Sequence, residues 1–287
     1  MQYCHVNNII MIYKYSCINS KIILSSDAKI SVQDRGFMFG DGAFETCHIN
    51  KKILDFDLHI QRLSKTLNLL KINVNLDKIK EDSYRLIGKN KIDQGLLRIS
   101  ISRGEGSAGY LPLEKVTPLI VIQARDISIP DNKELILGVS KDVLLYSRAI
   151  TSFYKTANSI NYILAKIEAK NNQFDDNILL NEKEQICETS SANIFWVKGR
   201  AIYTSSLGCG LLNGTKRQRV IQYINNHKDL ELIQGEFYLE DLQDCDECFI
   251  SNSSYLLRNI SKIVINKKII NLKGNNIGQY IKENAFN

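Results

Sequence analysis

Apolar residues recur along the chain with two periods, one typical of strands and one typical of helices. Short alternating or continuous apolar runs predict strands over residues 9–18, 21–24, 44–49, 53–56, 96–102, 117–124, 135–140, 177–180, 193–198, 201–204 and 247–251, with a hairpin over 262–270. Apolar residues three and four positions apart predict helices over 57–71, 77–88, 159–171, 215–226 and 275–284. This mixed order predicts an α+β protein with two sheet-containing domains.

The prolines indicate where the two domains meet. All three, Pro112, Pro118 and Pro130, fall in one short stretch, and proline removes a backbone donor and disfavours helix. We therefore expect an N-terminal α/β domain over residues 1–124, a linker over 125–134 and a C-terminal domain over 135–287.

Composition excludes several classes of protein. The chain has 287 residues and a net charge of +6, but its charges of both signs are interspersed, which argues against a nucleic-acid partner. No apolar stretch is long enough to span a membrane, and the N-terminus does not resemble a signal peptide, so we expect a cytoplasmic protein. Cys245 and Cys248 form a C-x-x-C pair, yet two further ligands at matching spacing are missing, and no metal site is predicted.

Lys155 is the first candidate for chemistry. It lies just before Asn158 and Ser159, which are good helix N-caps. The helix that follows repeats apolar residues with helical spacing, namely Ile160, Ile163, Leu164 and Ile167. This face is expected to pin the turn that carries Lys155 to the core, where the lysine is desolvated, its pKa falls, and its neutral amine becomes a nucleophile that can form a Schiff base. The alternative is a surface lysine with apolar neighbours.

Glu188 and the segment 211–220 add two further candidates. Glu188 precedes an apolar strand, and beside a reactive lysine a carboxylate suits the pyridine nitrogen of pyridoxal 5'-phosphate (PLP). In LLNGTKRQRV a helix begins after Asn-Gly, so the backbone N–H groups of Thr215 and Lys216 can bind a phosphate. Arg62 can add a bidentate phosphate contact, and hydroxyl donors are available at Ser251, Ser253 and Ser254. Each position also has an ordinary structural explanation as a surface carboxylate, a helix cap, a solvated helix face or a turn.

The order of the motifs is more specific than any one of them. DRGFMFGDGAFET, HIQRL, SRGEGSAGY, KTAN followed by AKIEA, ETSSANIF and LNGTKR occur in this order between about residues 19 and 265. Together they resemble the class IV aminotransferase family of fold-type IV PLP enzymes, which includes branched-chain aminotransferases, D-amino acid aminotransferases and aminodeoxychorismate lyases. The resemblance implies a two-domain fold in which each domain is a β-sheet with packed helices, and it implies PLP as the cofactor bound by residues 135–287.

The resemblance also implies roles for single residues. Lys155 would be the catalytic residue, which binds PLP covalently and later moves protons, and Glu188 would pair with the pyridine nitrogen. The phosphate would be held by Arg62, by the backbone N–H groups of Thr215 and Lys216, and by the hydroxyl of Ser253 or Ser254. Leu212 would pack against the ring face. Phe44 would line the substrate side.

Within the family, the chain is most similar to the aminodeoxychorismate lyases. Residues 102–110, 193–218 and 249–253 follow the lyase pattern. Two features differ from it: Ala108 stands where an arginine often binds the substrate carboxylate, so that Arg98 or Lys216 would have to supply the charge, and Glu45 stands in an Ala-Phe-Glu arrangement common in aminotransferases.

Three functions therefore remain open. The first is a lyase that converts 4-amino-4-deoxychorismate to 4-aminobenzoate and pyruvate in folate biosynthesis. The second is an aminotransferase for branched-chain or D-amino acids, which would require a keto-acid co-substrate. The third is a PLP-binding protein without catalysis, or a non-enzymatic scaffold. For either enzyme the resemblance implies a small-molecule substrate and a homodimer.

Overall fold

The computed structural model describes residues 12–107, 109–127, 135–274 and 276–286. The chain divides into two compact units. The N-terminal unit comprises Met1–Pro130 together with Thr156–Asn158, and the C-terminal unit comprises Asp131–Lys155 and Ser159–Asn287. The expected boundaries did not include Thr156–Asn158 in the N-terminal unit. This segment belongs there because Ala157 N donates to Gly42 O at 2.9 Å and Thr156 forms a β-bridge with Ala43.

The N-terminal unit is one antiparallel sheet with two long helices packed on one face. Its strands are β1 (Tyr15–Ile18), β2 (Lys21–Leu24), β3 (Gly42–Asn50), β4 (Lys52–Ile53), β5 (Gln94–Ser102) and β6 (Leu119–Arg125). Its helices are α1 (Arg35–Phe39), α2 (Phe56–Leu70) and α3 (Leu76–Asn90). The strand order is β2-β1-β6-β5-β3-β4. Alternation along β5 buries Leu97, Ile99 and Ile101 in the core and leaves Arg98 and Ser100 on the opposite face.

The C-terminal unit contains a larger, mixed sheet. Its strands are β7 (Leu135–Leu145), β8 (Asp176–Asn181), β9 (Ile186–Thr189), β10 (Asn193–Lys198), β11 (Ala201–Ser205), β12 (Glu231–Gly235), β13 (Glu247–Asn252), β14 (Leu256–Ile265) and β15 (Lys268–Asn271). Its helices are α4 (Ile150–Phe153), α5 (Ile160–Asn171), α6 (Thr215–Asn225) and α7 (Asn276–Asn284). The order is β12-β11-β10-β13-β14-β7-β8-β9, and β15 pairs with β14.

Strand β10 shows why this sheet is covered on both faces. Ile194 and Trp196 point into one apolar cluster, and Phe195 and Val197 point into another that includes residues of α6 and α7. A strand buried on both faces is expected to be continuously apolar rather than alternating, and the run NIFWV fits this expectation. Helices and sheets occur in both units, and the expected α+β fold is confirmed.

Several predicted elements differ from the structure. The strand expected over 9–18 begins at Tyr15, and residues 9–11 lie outside the described residues. The loop expected before the strand at 44–49 contains α1, which Asp34 caps by accepting a hydrogen bond from Phe37 N. The strand expected over 53–56 ends at Ile53, because Phe56 already begins α2.

Helix α5 lies within one residue of its predicted bounds, but its predicted buried face is exposed. The side chains on that face are 47% to 61% exposed, namely Ile160, Ile163, Leu164 and Ile167. The helix instead packs through Ala165 and Ala169, which are fully buried. Small alanine side chains let the helix backbone approach β7 and β8 closely, so the larger apolar side chains lie on the outer side.

Candidate active site

Glu188 is the centre of a buried polar network in the C-terminal unit. It lies on β9 with 4% of its surface exposed. Its Oε1 accepts hydrogen bonds from the Tyr162 hydroxyl at 3.0 Å and from Leu212 N at 3.3 Å. Its Oε2 accepts one from Asn193 Nδ2 at 3.0 Å. Donors thus fix both oxygens, which gives the carboxylate a defined direction inside the protein.

The same burial changes the acidity of Glu188. Loss of solvent raises the pKa of this carboxyl from 4.5 to about 7, against the opposing effects of the Leu212 N–H, the Tyr162 hydroxyl and the charges of Lys155 and Arg217. A carboxyl with a pKa near neutrality exchanges its proton at physiological pH, as general acid–base groups do.

Lys155 lies in the segment between α4 and α5 and is half-buried. Its charge acts on Glu188 directly, since it is one of the groups that lower the pKa of that carboxyl. The two residues that were singled out from the sequence are therefore electrostatic neighbours within one unit.

The start of α6 supplies donors for an anion. Thr215 and Lys216 form its first turn and are both buried, and the first N–H groups of a helix have no acceptor within the helix. The Thr215 hydroxyl lies 3.4 Å from the Ser253 hydroxyl. A Cβ at Gly214 would lie 2.1 Å from Asn193 Oδ1, so only glycine allows this approach. The ammonium of Lys216 lies 5.8 Å from the centre of the Phe286 ring.

The remaining predicted residues of this region take supporting positions. Leu212 donates its N–H to Glu188, and its carbonyl accepts a hydrogen bond from Asn193 Nδ2 at 2.8 Å. Ser254 lies in the turn after β13, where its N–H donates to Asn252 Oδ1 at 2.8 Å. Asn193 was missed by sequence reasoning, although it stands in the ETSSAN motif, and it connects Glu188 to the segment before α6.

A buried aspartate holds the turn that follows Glu188. Asp176 Oδ2 accepts hydrogen bonds from the hydroxyls of Ser191 at 2.6 Å and Thr189 at 3.2 Å, and its Oδ1 accepts one from the Ser190 hydroxyl. Lys166 Nζ lies 3.3 Å from the same carboxylate. The two serines and the threonine that follow Glu188 therefore have a structural role, because their hydroxyls hold this turn against Asp176.

In the N-terminal unit, Arg62 is held by an acid that the sequence did not pair with it. Glu45 is fully buried and accepts from Arg62 Nε and Nη2 at 2.7 Å each, and His59 Nδ1 lies 2.7 Å from its Oε2. Burial acts to raise the pKa of Glu45, but the charge and hydrogen bonds of Arg62 and His59 lower it to about 2. The role of Arg62 as a phosphate ligand stays a prediction.

Phe44 and Arg98 come together on the outer face of the N-terminal sheet. The Arg98 guanidinium lies 4.0 Å from the centre of the Phe44 ring, and its Nε donates to the Ser100 hydroxyl at 3.2 Å. Arg125 is close enough to act on Arg98 electrostatically. This face therefore presents positive charge beside an aromatic ring.

The glycine-rich loop after β5 is organised by Arg35. Arg35 is buried and donates to the carbonyls of Ser107, Gly109 and Tyr110 at 2.7 to 3.1 Å, and its Nε donates to Asp41. The expectation about Ala108 lies outside the described residues. Arg35 was also missed, although it stands in the first motif.

The structure also bears on the cysteine pair, on metal binding and on membrane-spanning helices. Cys245 and Cys248 are free, buried thiols. Across the described ranges, no group of three or more His, Cys, Asp or Glu side chains is arranged to hold a metal ion. None of the helices in these ranges combines the length and apolarity needed to cross a bilayer.

The donor set of the C-terminal unit fits PLP. A buried carboxylate suits a protonated pyridine nitrogen, the start of α6 with two hydroxyls suits a phosphate, and an amine lies in electrostatic reach of the carboxylate. Together, the buried carboxylate, the start of α6 and the nearby amine form a donor set that suits a phosphorylated, nitrogen-containing ring.

Comparison with known proteins agrees with this description. A family model described as amino-transferase class IV matches residues 42–263. The aminodeoxychorismate lyase of Bacillus subtilis is 33% identical over 247 residues, which cover 82% of this chain and 82% of that protein. The D-alanine aminotransferase of Staphylococcus aureus is 28% identical over 242 residues, covering 83% and 84%. The solved branched-chain amino acid aminotransferase from Escherichia coli superposes with a TM-score of 0.86 at 20% identity, covering 96% of this chain and 93% of that chain.

The chain therefore belongs to the class IV aminotransferase family. The fold is fold-type IV, and PLP is the cofactor of this family, so both expectations are confirmed.

Proposed function

We propose that the protein is an aminodeoxychorismate lyase, which converts 4-amino-4-deoxychorismate to 4-aminobenzoate and pyruvate in folate biosynthesis. The observation that carries the enzymatic part is the pair formed by Lys155 and the buried, hydrogen-bonded Glu188. Similarity to the lyase of B. subtilis, over most of both chains, supports the specific reaction.

Each residue of the proposed site would have its own role in this reaction. When bound, PLP supplies an electron sink that stabilises negative charge on the carbon that bears the amine. Lys155 would hold the cofactor and, once its amine is released, take the proton from that carbon. Glu188 would keep a proton at the pyridine nitrogen, and the start of α6 with Thr215 and Ser253 would bind the phosphate, with Arg62 as a further phosphate ligand.

The substrate side is proposed to include Phe44 and Arg98. Aminodeoxychorismate carries two carboxylates, and the Arg98 guanidinium beside the Phe44 ring offers a planar, cationic partner for one of them. Because Ala108 stands where an arginine is common, Arg98 is our candidate for binding a carboxylate of the substrate.

An aminotransferase for D-amino or branched-chain amino acids is the second candidate, favoured by the similarity to the D-alanine enzyme and by Glu45. The two functions differ in one requirement: an aminotransferase needs a keto acid, whereas the lyase releases pyruvate without one. Pyruvate release from aminodeoxychorismate, measured with and without a keto acid, therefore tests the proposal. No release, together with amino transfer from D-alanine or leucine, would favour the second candidate.

We also propose that the enzyme is a cytoplasmic homodimer. The exposed apolar face of α5, formed by Ile160, Ile163, Leu164 and Ile167, is the kind of surface that a second copy covers. The cysteines of the described ranges are free and buried, as expected in a reducing compartment.

A further inference from the structure

Tyr162 connects the helix that follows Lys155 to the strand that carries Glu188. Its hydroxyl lies 3.0 Å from Glu188 Oε1, the oxygen that also accepts from Leu212 N. A phenol has one O–H, and this one is directed at the carboxylate. Nothing in the sequence motifs assigns a role to this tyrosine, which was part of the helical pattern only.

In this hydrogen bond the Tyr162 hydroxyl keeps its proton, whereas burial makes the Glu188 carboxyl hard to ionise. Burial, together with the negative charge of Glu188, raises the pKa of the Tyr162 phenol far above neutrality, so the hydroxyl keeps its proton. Burial also raises the pKa of the Glu188 carboxyl to about 7. A donor to the charged form of a carboxyl favours that form, and donors to charged groups form stronger bonds than neutral pairs do.

The other titratable groups that face Glu188 do not replace this donor. Lys155 and Arg217 favour the carboxylate through their charge. Burial raises the pKa of the Cys187 thiol, which therefore stays neutral beside Glu188 on the same strand. Tyr162 is thus the side-chain hydroxyl that donates to Glu188, and it reaches the carboxylate from a different element than Asn193 does.

We propose that Tyr162 is a positioning residue for the cofactor, because its hydroxyl holds Glu188 in the ionised form and the orientation that a protonated pyridine nitrogen requires. This inference rests on the proposed pairing of Glu188 with PLP. Without the hydroxyl, the proton shared by the pair shifts from the ring nitrogen toward the Glu188 carboxylate.

The test is the nitrogen-15 resonance of the ring nitrogen in holoenzyme loaded with labelled PLP at neutral pH. Tyr162→Phe keeps the ring and removes only the hydroxyl. Tyr203→Phe is the matched control, since Tyr203 packs against Trp196 and Phe237 in a separate cluster of the same unit. The absorbance of lysine-bound PLP shows that each variant is folded and loaded.

We expect the resonance of Tyr162→Phe to move toward that of unprotonated pyridine. The ratio of protonated to unprotonated ring nitrogen should fall about tenfold, which is the size that the loss of one hydrogen bond to a charged group implies. Tyr203→Phe should match the unmodified protein. Glu188→Gln separates the two proposals: if it leaves the resonance unchanged, the pairing of Glu188 with PLP is wrong. If it moves the resonance and Tyr162→Phe does not, only the role of Tyr162 is wrong.

Discussion

Replacing Glu45 by glutamine should destabilise the N-terminal unit strongly, and the effect should depend on pH. The variant keeps the shape of the side chain but removes the charge that Arg62 and His59 face in a fully buried position. A carboxyl whose pKa falls from 4.5 to about 2 on folding contributes about 3 kcal/mol to stability at neutral pH. Removal of one partner from a buried ion pair costs about 3–5 kcal/mol, so two independent arguments give the same magnitude.

The direction of the pH dependence follows from the lowered pKa. The stabilisation by Glu45 is complete above pH 4.5 and is lost as the pH falls from 4.5 toward 2. Urea unfolding, followed between pH 7 and pH 4, should show a deficit of about 3 kcal/mol in Glu45→Gln at pH 7 that begins to shrink at the acid end.

Glu81→Gln is the matched control, because Glu81 forms an exposed pair with Lys78 on α3 of the same unit. This change should leave the urea midpoint essentially where it was. The reasoning about the buried pair would be refuted if Glu45→Gln lost no more free energy of unfolding than the control, or if its loss grew as the pH fell.

The other predictions concern the C-terminal unit. Because the pKa of Glu188 is raised on folding, the free energy of unfolding of the apoprotein falls as the pH rises from 4.5 to about 7. The free energy of unfolding of Glu188→Gln, relative to that of the unmodified apoprotein, should therefore rise by about 3 kcal/mol between these two pH values. A difference in urea unfolding that does not depend on pH would contradict this. Gly214→Ala would place a Cβ 2.1 Å from an asparagine oxygen and should cost about 1–3 kcal/mol and weaken PLP binding, whereas Gly88→Ala, with open space at the Cβ, should stabilise α3 by about 0.5–1 kcal/mol. Ile163→Glu should give a monomer in light scattering and Ile269→Glu, equally exposed on β15, a dimer; a dimer in both would exclude the α5 face as the interface.

The sequence predicted much of the fold because long periodic segments carry their own signal. Helices α2, α3 and α6 and strand β5 lie within a few residues of their predicted bounds. Helix α1 was missed because it has only five residues and contains a glycine, and β9 and β12 were missed because each contains only two adjacent apolar residues.

Helix α5 shows what periodicity leaves open. The spacing identified one apolar face correctly, but it does not say whether that face meets the core of the same chain or another surface. Two small residues, Ala165 and Ala169, decided the packing instead.

The candidate site was predictable where motifs carried it and not where partners come from distant segments. Lys155, Glu188 and the LNGTKR turn stand in recognisable motifs. The acceptor of the Tyr162 hydroxyl and the acid that holds Arg62 are set by tertiary structure, because each pair joins two elements that are separate in sequence.

The lyase reaction itself is tested most directly by its stoichiometry. Purified protein with PLP and aminodeoxychorismate, and no keto acid, should release pyruvate and 4-aminobenzoate in equal amounts. Lys155→Ala should abolish both products, whereas Lys170→Ala, which removes an exposed lysine at the end of α5, should not. Product formation that persists in Lys155→Ala, or no pyruvate from protein that carries lysine-bound PLP, would contradict the account.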